Sequence, residues 1–152
     1  MFEIVKGDIK NFRGDYIINP SNTILKLGSG VSGVLKIMCP MLQKVMDEWI
    51  EKHGFLNPGE IAISVYPCEE YEWAIHAAVM DYRPGAVKIA PNYKRIEKIC
   101  KNTAEYLNDK DALVITPYLG TGVGGLDKTV VREIMKNYFE PVKAKVVLVE
   151  RM

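Results

Sequence analysis

The stretch that most constrains the fold is the glycine-rich segment Gly120–Gly125, which reads GTGVGG. It directly follows an apolar run, 113–119, and directly precedes a segment in which apolar residues recur at helical spacing behind a capping residue, Asp127. A buried strand, a glycine turn and a helix in that order predict a loop that wraps an anion, because glycines allow close approach and the first helical amides face the ligand. Phosphate is the first candidate ligand, and a plain tight connection is the alternative.

A second glycine-rich segment strengthens the anion hypothesis. Gly28–Gly33 reads GSGVSG and also lies between a strand-like run, 16–19, and a helical one. In open α/β sheets, ligands bind at the carboxyl ends of the strands, which is where both loops are expected. Two such loops in one short chain predict a ligand with two phosphates.

Strand-like and helical segments alternate along the chain. Runs such as AIHAAVM and ALVITPYL are continuously apolar, which is typical of central strands covered by helices on both faces. We therefore expect one three-layer α/β domain over residues 1–152. The predicted strands are 3–6, 16–19, 60–66, 73–80, 113–119 and 145–149, and the predicted helices run from about Val31 to Gly54 with a restart at Pro40, over about 92–107, and from about Asp127.

The charge balance argues against a general polyanion binder. Lys and Arg number 20 against 19 Asp and Glu, so no basic field is available to attract nucleic acid. Any phosphate is then held by local backbone amides. No apolar run approaches the roughly 20 residues of a membrane helix, and the N-terminus lacks a long apolar segment, so we expect a cytoplasmic protein.

The cysteines and histidines show no metal-binding spacing. Cys39, Cys68 and Cys100 are isolated and odd in number, which predicts reduced, mostly buried thiols. His53 and His76 have no ligand partners nearby in sequence, and His76 lies in an apolar strand as expected of a hydrogen-bonded core residue. We expect no metal and no bound cofactor.

Four motifs stand in a characteristic order: Gly7-Asp8-Ile9, Asn19-Pro-Ser-Asn22, and the two glycine-rich loops. This arrangement resembles the macro domain, an ADP-ribose-binding module, over essentially the whole chain. The resemblance implies a three-layer α/β/α fold with a mixed, mainly parallel central sheet. It also implies ADP-ribose, free or protein-linked, as the ligand.

The resemblance assigns roles to individual positions. Asp8 reads the adenine amino group, with a turn-forming or capping aspartate as the alternative, and Ile9 supplies an amide. Asn22 lies by the terminal ribose and is the candidate catalytic residue, whereas Asn19 is structural. The first loop contributes Gly28, Ser29, Gly30, Val31, Ser32 and Gly33, with either serine as a helix cap, and the second contributes Gly120, Thr121, Gly122, Val123 and Gly124.

Three departures from the family pattern bear on mechanism. Ser32 stands where many hydrolysing members have an aspartate, and serine is no carboxylate base at neutral pH. Gly124 stands where many members have an aromatic residue over the terminal ribose, which predicts a more open pocket. Arg151 ends a last strand that lacks the adenine-stacking aromatic of some members, and either stacks its guanidinium on adenine or is a frayed terminal charge.

Three functions are compatible with these residues. The leading one is recognition of ADP-ribose, free or on an ADP-ribosylated macromolecule. The second is a hydrolase that removes ADP-ribosyl, acyl or phosphate groups at the terminal ribose, with Asn22 positioning a water and Asp81 as a reserve general base if it is not a surface turn. The third is an RNA-end or other nucleotide-binding module, which the near-neutral charge disfavours.

Overall fold

Six strands and four helices make up the computed structural model, which describes residues 1–152. The strands are β1 (Phe2–Lys6), β2 (Tyr16–Asn22), β3 (Ile61–Val65), β4 (Trp73–Met80), β5 (Leu113–Thr116) and β6 (Lys145–Glu150). The helices are α1 (Gly30–Met38), α2 (Leu42–His53), α3 (Tyr93–Leu107) and α4 (Lys128–Phe139).

The strands form one sheet in the order β1-β6-β5-β2-β4-β3. Every neighbouring pair is parallel except β3 with β4, which is antiparallel. The predicted mixed, mainly parallel sheet is therefore confirmed. Because five strands point the same way, the segments that follow β1, β2, β4, β5 and β6 all leave from one edge of the sheet.

The sheet is covered on both faces, as its continuously apolar strands predict. Successive residues of β2 divide between the two cores: Ile17 packs with the residues of α1 and α2, and Ile18 packs with those of α3 and α4. All four helices bury apolar residues against their side of the sheet, from Leu35 alone in α1 to four residues in α4. The three-layer α/β/α architecture is confirmed.

Helix boundaries follow the predicted capping signals. The Asp127 carboxylate accepts from the amides of Thr129 (2.8 Å) and Val130 (3.3 Å) at the start of α4. Asn92 caps α3 in the same way, and Gly54 ends α2. The side-chain oxygens of Asp127 and Asn92 satisfy amides that have no partner within the helix, so these helix starts follow from short-range interactions.

Two strand boundaries differ from the prediction by more than one residue. β2 continues past its predicted end at Asn19 through the segment Pro20–Asn22, because these three residues also pair with β4, ending with Asn22 opposite Met80. β5 ends at Thr116 instead of Leu119. Pairing with β4 is a long-range interaction, and no local sequence signal reports it.

The prediction of three reduced thiols is wrong for two of them. Cys39, at the end of α1, forms a disulfide with Cys68, which follows β3, across a sequence separation of 29 residues. Their Cα atoms lie 6.0 Å apart, within the ordinary range for a disulfide. Cys100 remains a buried free thiol in α3, and burial raises its pKa. The pairing escaped prediction because it depends on how α1 packs beside the end of β3.

None of the helices has the length and apolar character needed to cross a bilayer.

Candidate functional site

The candidate site lies along the edge of the sheet where the parallel strands end. The residues Asp8 and Ile9 follow β1, Arg151 follows β6, and the two glycine-rich loops follow β5 and β2. Segments far apart in sequence are thus arranged in the spatial order of their strands. The second glycine-rich loop, after β5, lies between the Asp8 and Arg151 region on one side and the first loop, after β2, on the other. The structure therefore brings the sequence-predicted residues to one side of the domain.

The second glycine-rich loop closes on itself. The Leu126 amide donates to the Gly120 carbonyl (3.0 Å), and the Gly125 amide donates to that of Gly122 (3.0 Å). A Cβ at Gly124 would lie 2.5 Å from the Gly120 carbonyl oxygen, so no larger residue fits there without movement. Within the loop only the Gly125 amide is used internally, and the amides of Gly120, Thr121, Gly122, Val123 and Gly124 donate to no protein acceptor.

The first glycine-rich loop is closed in the same manner. The Gly33 amide donates to the Ser29 carbonyl (3.3 Å), and a Cβ at Gly33 would lie 2.6 Å from the Gly28 oxygen. Ser29 occupies the cap position of α1, but its side chain makes no capping bond. Consequently the first turn of α1 has no side-chain cap, and five loop amides have no protein acceptor: those of Gly28, Ser29, Gly30, Val31 and Ser32.

Ser32 does not cap the helix, contrary to one of the two expectations. It lies inside α1 and is 5% exposed. Its hydroxyl donates to the Asn19 side-chain oxygen (2.7 Å) and lies within 3.2 Å of the Pro20 carbonyl oxygen. The hydroxyl is therefore engaged with β2, whereas the backbone amide remains free.

A chain of buried, hydrogen-bonded polar side chains connects α1 to β3, an edge strand of the sheet. The Asn19 carboxamide nitrogen donates to His76 Nδ1 (2.9 Å), and His76 Nε2 lies 2.8 Å from the Ser64 hydroxyl. Because Nδ1 accepts, the proton of the neutral ring is on Nε2 and is donated to Ser64. Burial lowers the pKa of His76 to about 3. His76 is thus a hydrogen-bonded core residue, and Asn19 bonds to His76 and Ser32 instead of tying its own loop together.

Asn22 organises the backbone between β2 and the first loop. Its side-chain oxygen accepts from the amides of Ile24 (3.2 Å) and Lys26 (3.1 Å), and its nitrogen donates to the Lys26 carbonyl (2.8 Å). The residue is 6% exposed. A primary amide has two N–H donors, so one of them remains after these bonds are counted.

Asp8 accepts from the Lys10 amide (3.0 Å) and caps the short 3-10 turn Ile9–Asn11. This bond, together with Lys10 and the nearby positive charge of Arg151, lowers the pKa of Asp8. The second carboxylate oxygen lies 3.5 Å from the Lys10 ammonium, and the Asp8 side chain as a whole is half exposed. The Ile9 amide donates to no protein acceptor. The capping role of Asp8 is thus observed, and Arg151 lies close enough to influence it.

The segment after β4 is not the surface turn expected at Asp81. Asp81 is 4% exposed, accepts from Thr23 (3.2 Å), and forms a two-armed ion pair with Arg83 (2.9 Å for each arm). The Arg83 guanidinium is the main cause that lowers the Asp81 pKa to about 2. A carboxylate this acidic and this engaged is a poor general base.

Several residues at this edge were not predicted. Pro91 packs beneath the second loop, where its ring would lie 2.9 Å from a Cβ at Gly124. The Tyr118 hydroxyl donates to Glu150 (2.7 Å) and accepts from Arg132 (3.0 Å), which joins the ends of β5 and β6 to α4. Of these residues, only Tyr118 could have been suspected from the sequence, because it lies two residues before Gly120. The ring of Pro91, which belongs to a different part of the chain, occupies the space beside Gly124. The glycine therefore does not leave that space empty.

Comparison with known proteins identifies this arrangement. The family model described as Macro domain matches residues 18–135. An uncharacterized protein of Aquifex aeolicus is 31% identical and aligns over 97% of this chain and 88% of its own. An uncharacterized protein of Saccharolobus solfataricus is 27% identical over 93% of this chain and 78% of its own.

Solved structures share the fold. The macrodomain of Thermus aquaticus DarG superposes with a TM-score of 0.80 at 18% identity and covers 99% of this chain and 98% of its own. A point mutant of the Oceanobacillus iheyensis macrodomain, solved with ADPR, gives a TM-score of 0.79 at 23% identity and covers 97% of this chain and 84% of its own.

Proposed function

The chain belongs to the macro domain family, whose members bind ADP-ribose ligands, and we propose that it binds ADP-ribose or a close derivative across its two glycine-rich loops. The ligand is either free or attached to a macromolecule. Recognition, with no metal or cofactor, is the leading function.

One observation carries the proposal: both loops keep a row of amides that no protein group accepts. Five lie in the second loop and five in the first, and both loops follow neighbouring parallel strands. Three of the five belong to the first turn of α1, where the helix dipole also favours a negative charge. Two amide rows at one edge suit the two phosphates of a diphosphate, and explain how a nearly neutral protein binds an anion.

The other groups at the edge suit the two ends of the ligand. Ile9 offers a free amide and Asp8 an exposed carboxylate oxygen, which is the donor and acceptor pair that the edge of adenine requires. Arg151, close to Asp8, is the candidate for stacking on the base. At the opposite end, the remaining N–H of Asn22 is available to a ribose hydroxyl.

The hydrolase alternative is less well supported by the same contacts. The Ser32 hydroxyl, the Asn22 oxygen and the Asp81 carboxylate are all engaged by other protein groups. The free N–H of Asn22 can orient a substrate or a water, but it cannot accept a proton. Hydrolysis would therefore need the substrate itself to activate the water.

Isothermal titration with ADP-ribose, and with ADP and AMP as controls, tests the proposal. We expect ADP-ribose to bind at least about tenfold more tightly than AMP, because AMP lacks the second phosphate and the terminal ribose. The absence of heat with millimolar ADP-ribose would refute the proposed function and leave the fold intact.

Two further measurements separate the alternatives. A hydrolase predicts release of ADP-ribose from a conjugate, and Asn22→Ala should then lower turnover more than affinity, since a positioned water matters mainly in the transition state. A nucleic-acid module predicts binding that weakens steeply with salt. We expect no turnover, and binding of ADP-ribose that depends only weakly on salt.

A further inference from the structure

A surface groove lies beside the candidate site on the side of α2. Its volume is about 370 Å³, and it is formed by the segment after β2, the second half of α2, Phe55 two residues beyond the end of α2, and the segment after β4. Two aromatic side chains in it are unusually open to solvent, Phe55 at 52% and Tyr82 at 44% exposure. The apolar lining consists of Ile24, Ile50, Phe55, Tyr82 and Pro84.

The order of the strands places this groove beyond one end of the proposed ligand. With Asp8 after β1 and Asn22 at the end of β2, ADP-ribose would run along the edge from β1 towards β2, with its terminal ribose last. The groove comes next in that direction, because its walls follow β2 and β4. A group carried on the terminal ribose would therefore leave the site towards the groove.

The wall of the groove nearest the candidate site is held in place by a residue of that site. Asn22 holds the backbone of Ile24 and Lys26, both of which line the groove. Gln43 of α2 donates to the Leu25 carbonyl (3.0 Å) and accepts from the Leu27 amide (2.7 Å), which fastens this wall to α2.

The opposite wall is equally well anchored. The Tyr82 amide donates to the Thr23 hydroxyl (2.9 Å), and the neighbouring Arg83 is paired with buried Asp81. The exposed ring of Tyr82 thus stands on an anchored backbone, which reduces the entropy lost when a partner binds.

The charged side chains of the groove favour a cationic neighbour. Asp47 and Glu51 of α2 line it together with Lys26. Lys26 is already paired with Asp47 at 2.6 Å, and Glu51 has no ion-pair partner. The groove therefore carries one uncompensated carboxylate beside its aromatic rings.

We propose that this groove binds the polypeptide to which ADP-ribose is attached, by receiving an apolar side chain next to a basic residue. The proposal rests on the proposed function and specifies its substrate class as protein-linked ADP-ribose. The apolar side chain packs on Phe55 and Tyr82, and the basic residue pairs with Glu51. An ADP-ribosylated nucleic acid is disfavoured, because its phosphates would meet these carboxylates.

The experiment compares the Kd values of free ADP-ribose and of three ADP-ribosylated peptides. The peptides carry the modification on a central serine with Leu-Lys, Leu-Glu or Gly-Ser as the flanking residues. The test variants are Phe55→Ser/Tyr82→Ser and Glu51→Lys. Ile37→Ser is the matched control, since Ile37 is an apolar residue of α1 that is 83% exposed and does not line the groove.

We expect the parent protein to bind the Leu-Lys peptide at least about fivefold more tightly than the Gly-Ser peptide. The double variant should lose this preference and keep its affinity for free ADP-ribose within about twofold. Glu51→Lys should reverse the preference between the Leu-Lys and Leu-Glu peptides, which tests the groove even if the double variant is unstable.

Two results would overturn the groove proposal alone: equal affinities of the parent for all three peptides, or tighter binding of an ADP-ribosylated DNA oligomer than of the Leu-Lys peptide. A third, self-association of the protein that Phe55→Ser/Tyr82→Ser abolishes, would assign the groove to a second copy of the chain. Failure of the parent to bind free ADP-ribose would instead refute the proposed function, and this inference with it.

Discussion

Removal of the Cys39–Cys68 disulfide should measurably destabilise the protein. The crosslink spans a sequence separation of 29 residues and ties the end of α1 to the segment after β3. In the chain-entropy model, a closed loop of this length restricts the unfolded chain enough to stabilise the fold by about 3.6 kcal/mol. For a domain of this size, that loss corresponds to a fall in Tm of about 7 to 14 °C.

Thermal unfolding followed by circular dichroism, with and without a thiol reductant, measures this effect. Cys68→Ser is the preferred variant, because Cys68 is only partly buried whereas Cys39 is fully buried and packs in the core. Reductant should lower the Tm of the parent to that of Cys68→Ser and should not change the Tm of the variant. Thiol titration of the denatured protein should find one free cysteine before reduction and three after it.

The disulfide argument has a clear point of failure. Three free thiols in protein purified without reductant would show that the pairing does not form. A single free thiol combined with a Tm that reductant changes by less than about 2 °C would refute the entropic reasoning, since the loop would then be restrained in the unfolded state by other means.

Three further predictions concern buried contacts at or near the site. Gly124→Ala should lower the free energy of unfolding by about 1–3 kcal/mol, because its Cβ would lie 2.5 Å from the Gly120 oxygen, whereas Gly122→Ala meets open space and should show no loss in the same urea titration. The Asp81 pKa is lowered to about 2, so its carboxylate stabilises the fold above the unfolded value near 3.9, and this contribution disappears as the pH falls towards 2. Asp81→Asn should therefore cost about 2 kcal/mol at pH 7 and progressively less as the pH falls from about 4 through 2, and a pH-independent cost would contradict the ion-pair account. The His76 pKa is lowered to about 3, so between about pH 6.5 and 3 the unfolded chain binds a proton that the folded chain excludes. The free energy of unfolding should therefore fall by about 1.4 kcal/mol for each unit by which the pH is lowered in this range, and equal pH slopes for the parent and His76→Gln would exclude His76 as the cause.

The sequence was most informative where structure depends on neighbours along the chain. The helix starts at Asn92 and Asp127 and the stop at Gly54 were predictable, because a cap satisfies amides only two or three residues away. The continuously apolar strands indicated a sheet covered on both faces. The two glycine-rich loops could be located from composition alone.

The state of the polar residues was much less predictable. Ser32 looked like a helix cap, and Asp81 like a surface turn, whereas both are buried: Ser32 bonds to Asn19, and Asp81 bonds to Thr23 as well as to the nearby Arg83. Asn19 lies 13 residues from Ser32 in the sequence, and Thr23 lies 58 residues from Asp81. A side chain that bonds across the sheet carries no local mark of that bond.

The sequence by itself therefore determined the layered α/β architecture, the order of its elements and the positions of the two glycine-rich loops. These features depend on periodicity, capping and backbone freedom, which act over a few residues. Only the tertiary structure decided that Cys39 joins Cys68, that Pro91 fills the space beside Gly124, and that an aromatic groove continues from the site. Each of these depends on the strand order β1-β6-β5-β2-β4-β3, which brings distant residues together and is set by packing of the whole chain.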